Sequence, residues 1–252
     1  MSVRRLWLDG AGCDAAAFAG DTAPARALLR IAAHCQDARL VDGRLRGDPT
    51  EVALAAFAAA HGMAAAARRL AEIPFDADRK RMSVVCATPA GRTLYCKGAL
   101  ETLLPRCAHW RTAQGDVPLD AARRAEIDAA QEALATAGLR VLAFAQRELT
   151  ADEPAAEERL VFVGLIGLAD PPRPEVPAAV ARCGEAGIRV IMCTGDHPRT
   201  ALALARDIGL IEGDAPMLIT GAELRHMNDA QLQLALDAPE VLFARMEPEQ
   251  KL

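Results

Sequence analysis

Apolar and polar residues along this chain switch repeatedly between a two-residue and a helical period, which predicts an α/β protein. Val3 to Leu8 reads as a short strand closed by Asp9, Gly10 and Gly12, whereas Pro24 to Cys35 places Leu28, Leu29 and Ala32 on one helical face. Within Gly47 to Phe57, Asp48 is suited to an N-cap, Pro49 to a first helical residue, and Glu51 stands at the capping-box position. Phe75 follows Pro74 at the start of an extended segment, and DADRKR leads into a strand from Met82 to Ala87. Thr88, Pro89, Ala90 and Gly91 supply a turn, and Arg92 to Lys97 returns as a second strand. This register sets Met82 opposite Lys97, and the two-residue period extends the same face to Lys80 and Tyr95.

Further along, Ala99 to Cys107 reads as a short helix and His109 to Pro118 as a polar loop. A helix capped by Asp120 runs towards Ala137 and stops at Gly138, and Leu139 to Gln146 alternates as a strand. Thr150 to Glu158 is acidic, contains Pro154 and reads as a loop of little mechanistic content. Arg159 to Leu168 is then a buried strand, and the domain boundary is expected near Leu168. Beyond it, Pro174 opens a helix closed by Gly187, and Arg189 to Cys193 is a strand. Thr194, Gly195 and Asp196 break that strand before Pro198 starts another helix, which Gly209 ends. Met217 to Thr220 and Val241 to Ala244 read as strands, with Ala222 to Leu236 mainly helical between them.

Composition narrows the function classes. At 252 residues, 52% hydrophobic and 25% charged, the chain has the make-up of a folded protein of one large domain or two ordinary ones. A net charge of -5 gives no basic footprint for nucleic acid. Seven cysteines stand singly, with no CxxC spacing, and indicate neither zinc nor a disulfide framework; no metal ligands are assigned. No apolar run reaches the roughly 18 to 20 residues of a membrane span.

Two short strings carry more. Polar residues after a strand, followed by a helix with free amides, suit a phosphate, but Thr-Gly-Asp is also an ordinary turn and cap. DPPR at Asp170 to Arg173 with TGD at Thr194 to Asp196 resembles the cytosolic core of P-type cation-transporting ATPases, most closely the calcium-pump branch. GDPTE around Glu51, FDADRKRMSVV from Phe75, YCKGALE around Lys97, LRVLAFA around Arg140 and FARMEPEQK around Arg245 and Lys251 resemble the same family in the same order. On residue chemistry alone, the hairpin from Lys80 to Lys97 is either a purine and phosphate pocket or a solvated charged edge. Glu51 reads on the same grounds as a capping residue, and the resemblance implies a place near the adenine amino group as well.

The resemblance implies a nucleotide-binding domain over residues 1–168 and part of a phosphorylation domain over 169–252, with a hinge at 169–174. It implies an α+β nucleotide-binding fold with a mainly antiparallel sheet flanked by helices, and an incomplete haloacid-dehalogenase-like Rossmannoid domain. ATP would be bound by Glu51, Phe75, Lys80, Met82, Lys97, Gly98, Arg140, Asp170 and Arg245, with Gly98 allowing close approach beside Lys97. Thr194, Gly195, Asp196 and Lys251 would be catalytic. Ala77 departs from the pattern, since many calcium-pump relatives have an arginine there; that phosphate contact is lost or supplied by a neighbour such as Arg79.

The expected activity is ATP hydrolysis through an aspartyl-phosphate, coupled to cation transport, at the cytoplasmic face of a membrane. Magnesium, a transmembrane domain and an actuator domain would be its partners, with self-association of the chain a further expectation. The sequence contains no DKTGT acceptor loop and no GDGxND magnesium loop, so this stretch is expected to bind ATP without turning it over. The alternatives are a free-standing haloacid-dehalogenase-type phosphohydrolase, for which Asp9 lacks a second carboxylate at Ala11, and an interaction module that binds no nucleotide.

Overall fold

In the computed structural model, residues 1–89, 91–150, 153–169, 172–196 and 198–251 are described, with the backbone alone at 199, 248 and 251. The chain divides into two units, Met1–Ala135 with Leu139–Asp170, and Thr136–Gly138 with Pro171–Leu252.

The first unit is built on a nine-stranded sheet. Its strands are β1 (Ser2–Leu8), β2 (Ala11–Asp14), β5 (Arg69–Asp76), β6 (Arg81–Thr88), β7 (Gly91–Gly98), β8 (Cys107–Thr112), β9 (Gly115–Pro118), β10 (Arg140–Leu149) and β11 (Leu160–Ala169). A small separate hairpin, β3 (Arg39–Val41) with β4 (Arg44–Arg46), stands outside it. The main order is β2-β1-β11-β10-β7-β6-β5, antiparallel at each step, and β8 joins β11 in parallel. Both faces of this sheet are covered. Val84, Tyr95, Phe144 and Ile166 face a core shared with helices α1 (Ala23–His34) and α2 (Pro49–Ala60). Their neighbours Val85, Leu94, Ala143 and Leu165 face a second core, into which α4 (Ala121–Thr136) sends Ile127 and Leu134. Burial on both sides explains the nearly unbroken apolar runs of β6, β7 and β11.

Several expectations are corrected by longer-range contacts. Residues 109–118 form the hairpin β8–β9 instead of a loop, because Trp110 and Thr112 alternate inward while β8 borrows an edge of β11. Phe75 lies near the end of strand β5 rather than at the start of an extended segment. Between β7 and β8, α3 (Leu100–Leu103) passes directly into a 3-10 turn. The acidic connection after β10 is anchored, with Glu157 buried against β6. Glu51 forms no capping box: Asp48 caps α2 through the amide of Thr50 at 2.8 Å, and the Glu51 carboxylate turns to other partners.

The second unit carries a parallel sheet ordered β12 (Met192–Cys193), β14 (Val241–Ala244), β13 (Met217–Thr220). Helix α6 (Pro198–Asp207) packs Ala201 and Ala205 against Leu242 and Ala244. The opposite face is filled by Ile219, Val241 and Phe243 with Ala235 of α8 (Asp229–Asp237). Helix α5 (Val176–Glu185) begins after Pro174, with Pro177 in its first turn, and only the last two residues of the expected strand 189–193 pair. The stretch expected as one helix over 222–236 is two, α7 (Gly221–Leu224) and α8, because Thr220 and Asn228 each form a capping box. Among the described residues, no helix is long and apolar enough to cross a membrane.

Candidate functional site

A cavity of about 660 Å³ opens in the first unit where the N-terminus of α2 meets the ends of β5, β6, β7 and β10. Its wall includes Glu51, Phe75, Lys80, Met82, Lys97, Gly98 and Arg140, together with the N-cap Asp48, with Thr50 of the same GDPTE string, and with Asp37, which no sequence motif marks. The β6–β7 register explains the core of this grouping: Met82 pairs with Lys97 and Arg81 with Gly98.

Each side chain is held differently. Lys97 is only 7% exposed, and its Nζ donates to Glu51 Oε1 at 2.7 Å. The other oxygen of Glu51 accepts the Asp37 amide at 2.9 Å, so the first turn of α2 is tied to both the sheet and the chain after α1. Met82 is buried beneath this pair, whereas Phe75 is 64% exposed and offers a free aromatic face. Lys80 occupies the left-handed backbone region, φ 50°, and its Nζ meets Glu101 Oε1 at 3.2 Å in a solvated pair. Arg140 donates to the Thr50 hydroxyl at 3.4 Å. Burial alone would push the Asp48 carboxyl up, but hydrogen bonds from Thr50 and Glu51 and the charge of Arg140 outweigh it and hold it below the usual range.

Gly98 does permit a close approach, and the approaching group is the chain itself. A Cβ there would fall 2.5 Å from the Arg81 Cβ and from the Lys80 carbonyl oxygen. Arg79 is unavailable as a substitute for a residue at Ala77, because it is engaged with Glu157 at 2.9 and 3.0 Å and with the Pro74 carbonyl at 2.6 Å. Tyr95 is buried beside His34 with ring centroids 5.7 Å apart, away from the cavity wall. A smaller cavity of about 300 Å³ lies around His34, Gln36 and Arg69. Its guanidinium is already bonded to Asp37, Glu72 and the carbonyls of His34 and Gln36.

In the second unit, Thr194, Gly195 and Asp196 form a tight turn after β12. The Thr194 hydroxyl accepts the Asp196 amide at 3.1 Å and donates to the Asp196 carboxylate at 3.0 Å. The turn is stitched to the end of β14, where the Arg245 amide donates to the Asp196 carbonyl and the Met246 amide to that of Thr194, at 2.9 and 3.0 Å. Arg245 is thereby brought beside the turn, in the left-handed backbone region with φ 53°. Asp170 lies outside the described residues, and Lys251 is described only as the end of a 3-10 turn, Pro248–Lys251. Among the described residues, no group of three or more His, Cys, Asp or Glu is placed to hold a metal ion. The seven cysteines are free thiols, and burial pushes those of Cys96 and Cys107 up to about 12.

Known proteins give this arrangement a context. The family described as P-type ATPase, cytoplasmic domain N, matches residues 24–175. Calcium-transporting ATPase 1 of Bacillus cereus is 38% identical over 236 residues, covering 90% of this chain and 26% of the relative. Cation-transporting ATPase pma1 of Synechocystis is 42% identical over 234 residues, covering 86% of this chain and 25% of the relative. The sodium/potassium exporting P-type ATPase cta3 of Schizosaccharomyces pombe is 37% identical over 229 residues, covering 82% and 22%. The chain thus spans about a quarter of the length of the curated relatives it matches. With more than half its length matched by the family and a mainly antiparallel sheet flanked by helices, the chain belongs to the P-type ATPases and carries their cytoplasmic domain N.

Proposed function

We propose that this chain binds ATP in the cavity between α2 and the β6–β7 hairpin, as the nucleotide-binding part of a cation-transporting P-type ATPase. The observation that carries the reading is the grouping of an exposed aromatic ring, Phe75, a buried thioether, Met82, and three cations, Lys80, Lys97 and Arg140, around one cavity. An adenine ring stacked on Phe75 gains the contact that side chain lacks in the free protein. Glu51 accepts hydrogen bonds from its present partners and would accept one from an adenine amino group. Lys80 and Arg140 supply charge for phosphate oxygens, and Lys97 is the buried cation of the cavity wall; the family resemblance adds Asp170 and Arg245 as nucleotide contacts in the whole pump.

Residues 169–252 are assigned on the same reading to part of a phosphorylation domain of haloacid-dehalogenase type, with residues 169–174 as its hinge. Thr194, Gly195, Asp196 and Lys251 belong to its active site, and the phosphoryl acceptor is an aspartate outside these 252 residues. On the same reading, magnesium is held in the whole pump by residues outside these 252. The transported cation, the membrane domain and the actuator domain are likewise parts of the whole pump. A free-standing phosphohydrolase built on Asp9 is disfavoured by its geometry: the carboxylate accepts the Ala113 amide at 2.9 Å within a turn.

The test is a calorimetric titration with ATP, comparing wild type with Lys97→Ala. Loss of one charge-assisted contact weakens binding about tenfold or more. Saturable wild-type binding that falls in the variant supports the assignment, and a folded wild-type chain that shows no saturation refutes it. Incubation with ATP and magnesium should yield no acid-stable phosphoprotein.

A further inference from the structure

Glu157 touches no part of the cavity wall, yet it is bonded to the turn that carries two of the wall's side chains. It is 7% exposed and stands in the connection between β10 and β11. Its Oε1 accepts from the Ser83 hydroxyl at 2.8 Å and from Arg79 at 3.0 Å; its Oε2 accepts from Arg81 Nε at 2.6 Å and from Arg79 at 2.9 Å. The two guanidiniums carry the connection onward. Arg79 donates to the carbonyl of Pro74, the residue before Phe75, and Arg81 donates to the carbonyl of Arg79, the residue before Lys80, at 2.6 and 3.1 Å.

The segment so clamped needs holding. The β5–β6 register shifts between Ile73 and Asp76, which places an irregularity at Phe75, and Lys80 adopts a backbone region that side chains other than glycine rarely enter. Local bonds define part of this turn, since Asp76 accepts the amides of Asp78 and Arg79 at 3.0 and 2.8 Å. Backbone bonds, among them the Ala99 amide to the Lys80 carbonyl at 2.9 Å, fix its course, and the Glu157 network adds side-chain bonds to both flanks. Without that carboxylate, the buried guanidinium of Arg81 and the partly exposed one of Arg79 would lose the counter-charge they share.

We infer that Glu157 is a positioning residue for nucleotide binding, acting through Arg79 and Arg81 to set the placement of Phe75 and Lys80 together. The inference rests on the reading of the cavity as an ATP site. Since Phe75 would meet the base, the effect extends to adenosine, which carries no phosphate. A residue needed only for overall stability would alter the folded fraction and leave the affinity of folded molecules unchanged.

The experiment compares wild type, Glu157→Gln and Glu153→Gln by titration with ATP and with adenosine, following the Phe75 ring resonances by NMR. Glu153 belongs to the same connection but is bonded to Arg147, so its variant controls for disturbance of the loop. The expected result is a loss of about tenfold for both ligands in Glu157→Gln, with displaced Phe75 ring signals in the free protein and unchanged affinity in Glu153→Gln. Wild-type binding with a Glu157→Gln affinity within about twofold overturns this inference and leaves the ATP assignment standing. Absence of wild-type binding overturns the assignment and the inference with it. If Glu157→Gln does not fold, Arg79→Lys, which keeps the charge but loses the fork that reaches both Glu157 and Pro74, replaces it with the same expected loss.

Discussion

Glu51 Oε1 and Lys97 Nζ lie 2.7 Å apart at the centre of the cavity, each largely withdrawn from water. A helix N-terminus and an inner strand of the sheet are thus joined by one ion pair at the place proposed for the nucleotide. Breaking a buried pair from one side leaves the other charge uncompensated, so Lys97→Ala is expected to cost roughly 3 kcal/mol of stability. The double variant Glu51→Gln/Lys97→Ala should lose less than the sum of Glu51→Gln and Lys97→Ala. Urea denaturation of the four proteins measures this, and strict additivity would exclude a coupled pair.

Phe75 offers the opposite case. Its ring is 64% exposed, so Phe75→Ala should change stability by no more than about 0.5 kcal/mol. Loss of a base stack of roughly 1 to 3 kcal/mol would nevertheless weaken ATP binding about fivefold to 150-fold. A calorimetric titration beside a thermal melt separates the two effects; an unchanged affinity would remove Phe75 from the site.

Gly98→Ala should damage both properties. The added methyl meets the Arg81 Cβ and the Lys80 carbonyl at 2.5 Å, so the β6–β7 edge must shift. The expected cost is roughly 1 to 3 kcal/mol, with displaced Lys80 and weaker ATP binding. Wild-type stability in this variant would show that the strands part without strain.

Acid should act through Glu157. Burial raises its carboxyl, but the stronger combined effect of Ser83, Arg81 and Arg79 lowers it below the ordinary 4.5. A carboxyl lowered in the folded state contributes stability that is present above its unfolded value and is lost as pH falls through the folded one. Wild-type stability should therefore decline on acidification below about 4.5, and the decline should be shallower in Glu157→Gln. Urea midpoints between roughly pH 6 and pH 3 report the difference.

In the second unit, Thr194→Ala removes the hydroxyl that bonds the Asp196 amide and carboxylate. The expected outcome is a loss of about 1 kcal/mol in protection of the turn against hydrogen exchange. Exchange as slow as in the wild type would show that the hydroxyl does not hold the turn.

Local periodicity made the β6–β7 hairpin legible, including the Met82–Lys97 pairing, because alternation and a short turn determine register together. Contacts distant in sequence were not legible. Glu157 lies 74 residues from Ser83 and 76 from Arg81, inside a segment with no period, so nothing nearby signalled its burial. The parallel addition of β8 to β11 is non-local in the same way. At Glu51 the local pattern suggested a capping box, and the nearby Lys97 ammonium and Asp37 amide prevailed over it. The proposed ligand contacts came from resemblance, while the sharing of one cavity wall by Glu51, Phe75, Lys80, Met82, Lys97, Gly98 and Arg140 came from the fold.

Phe75 belongs to β5, the outermost strand of its sheet and exposed along most of its length, whereas Lys97 belongs to β7, flanked on both sides. The aromatic wall is therefore mounted where local opening costs least, and the cationic wall where it costs most. Amides of β5 should exchange with deuterium well before those of β7, and ATP should slow the former far more than the latter. Affinity would then be scaled by the fraction of time that β5 is closed, so a change that merely steadies this strand would tighten binding without touching the ligand.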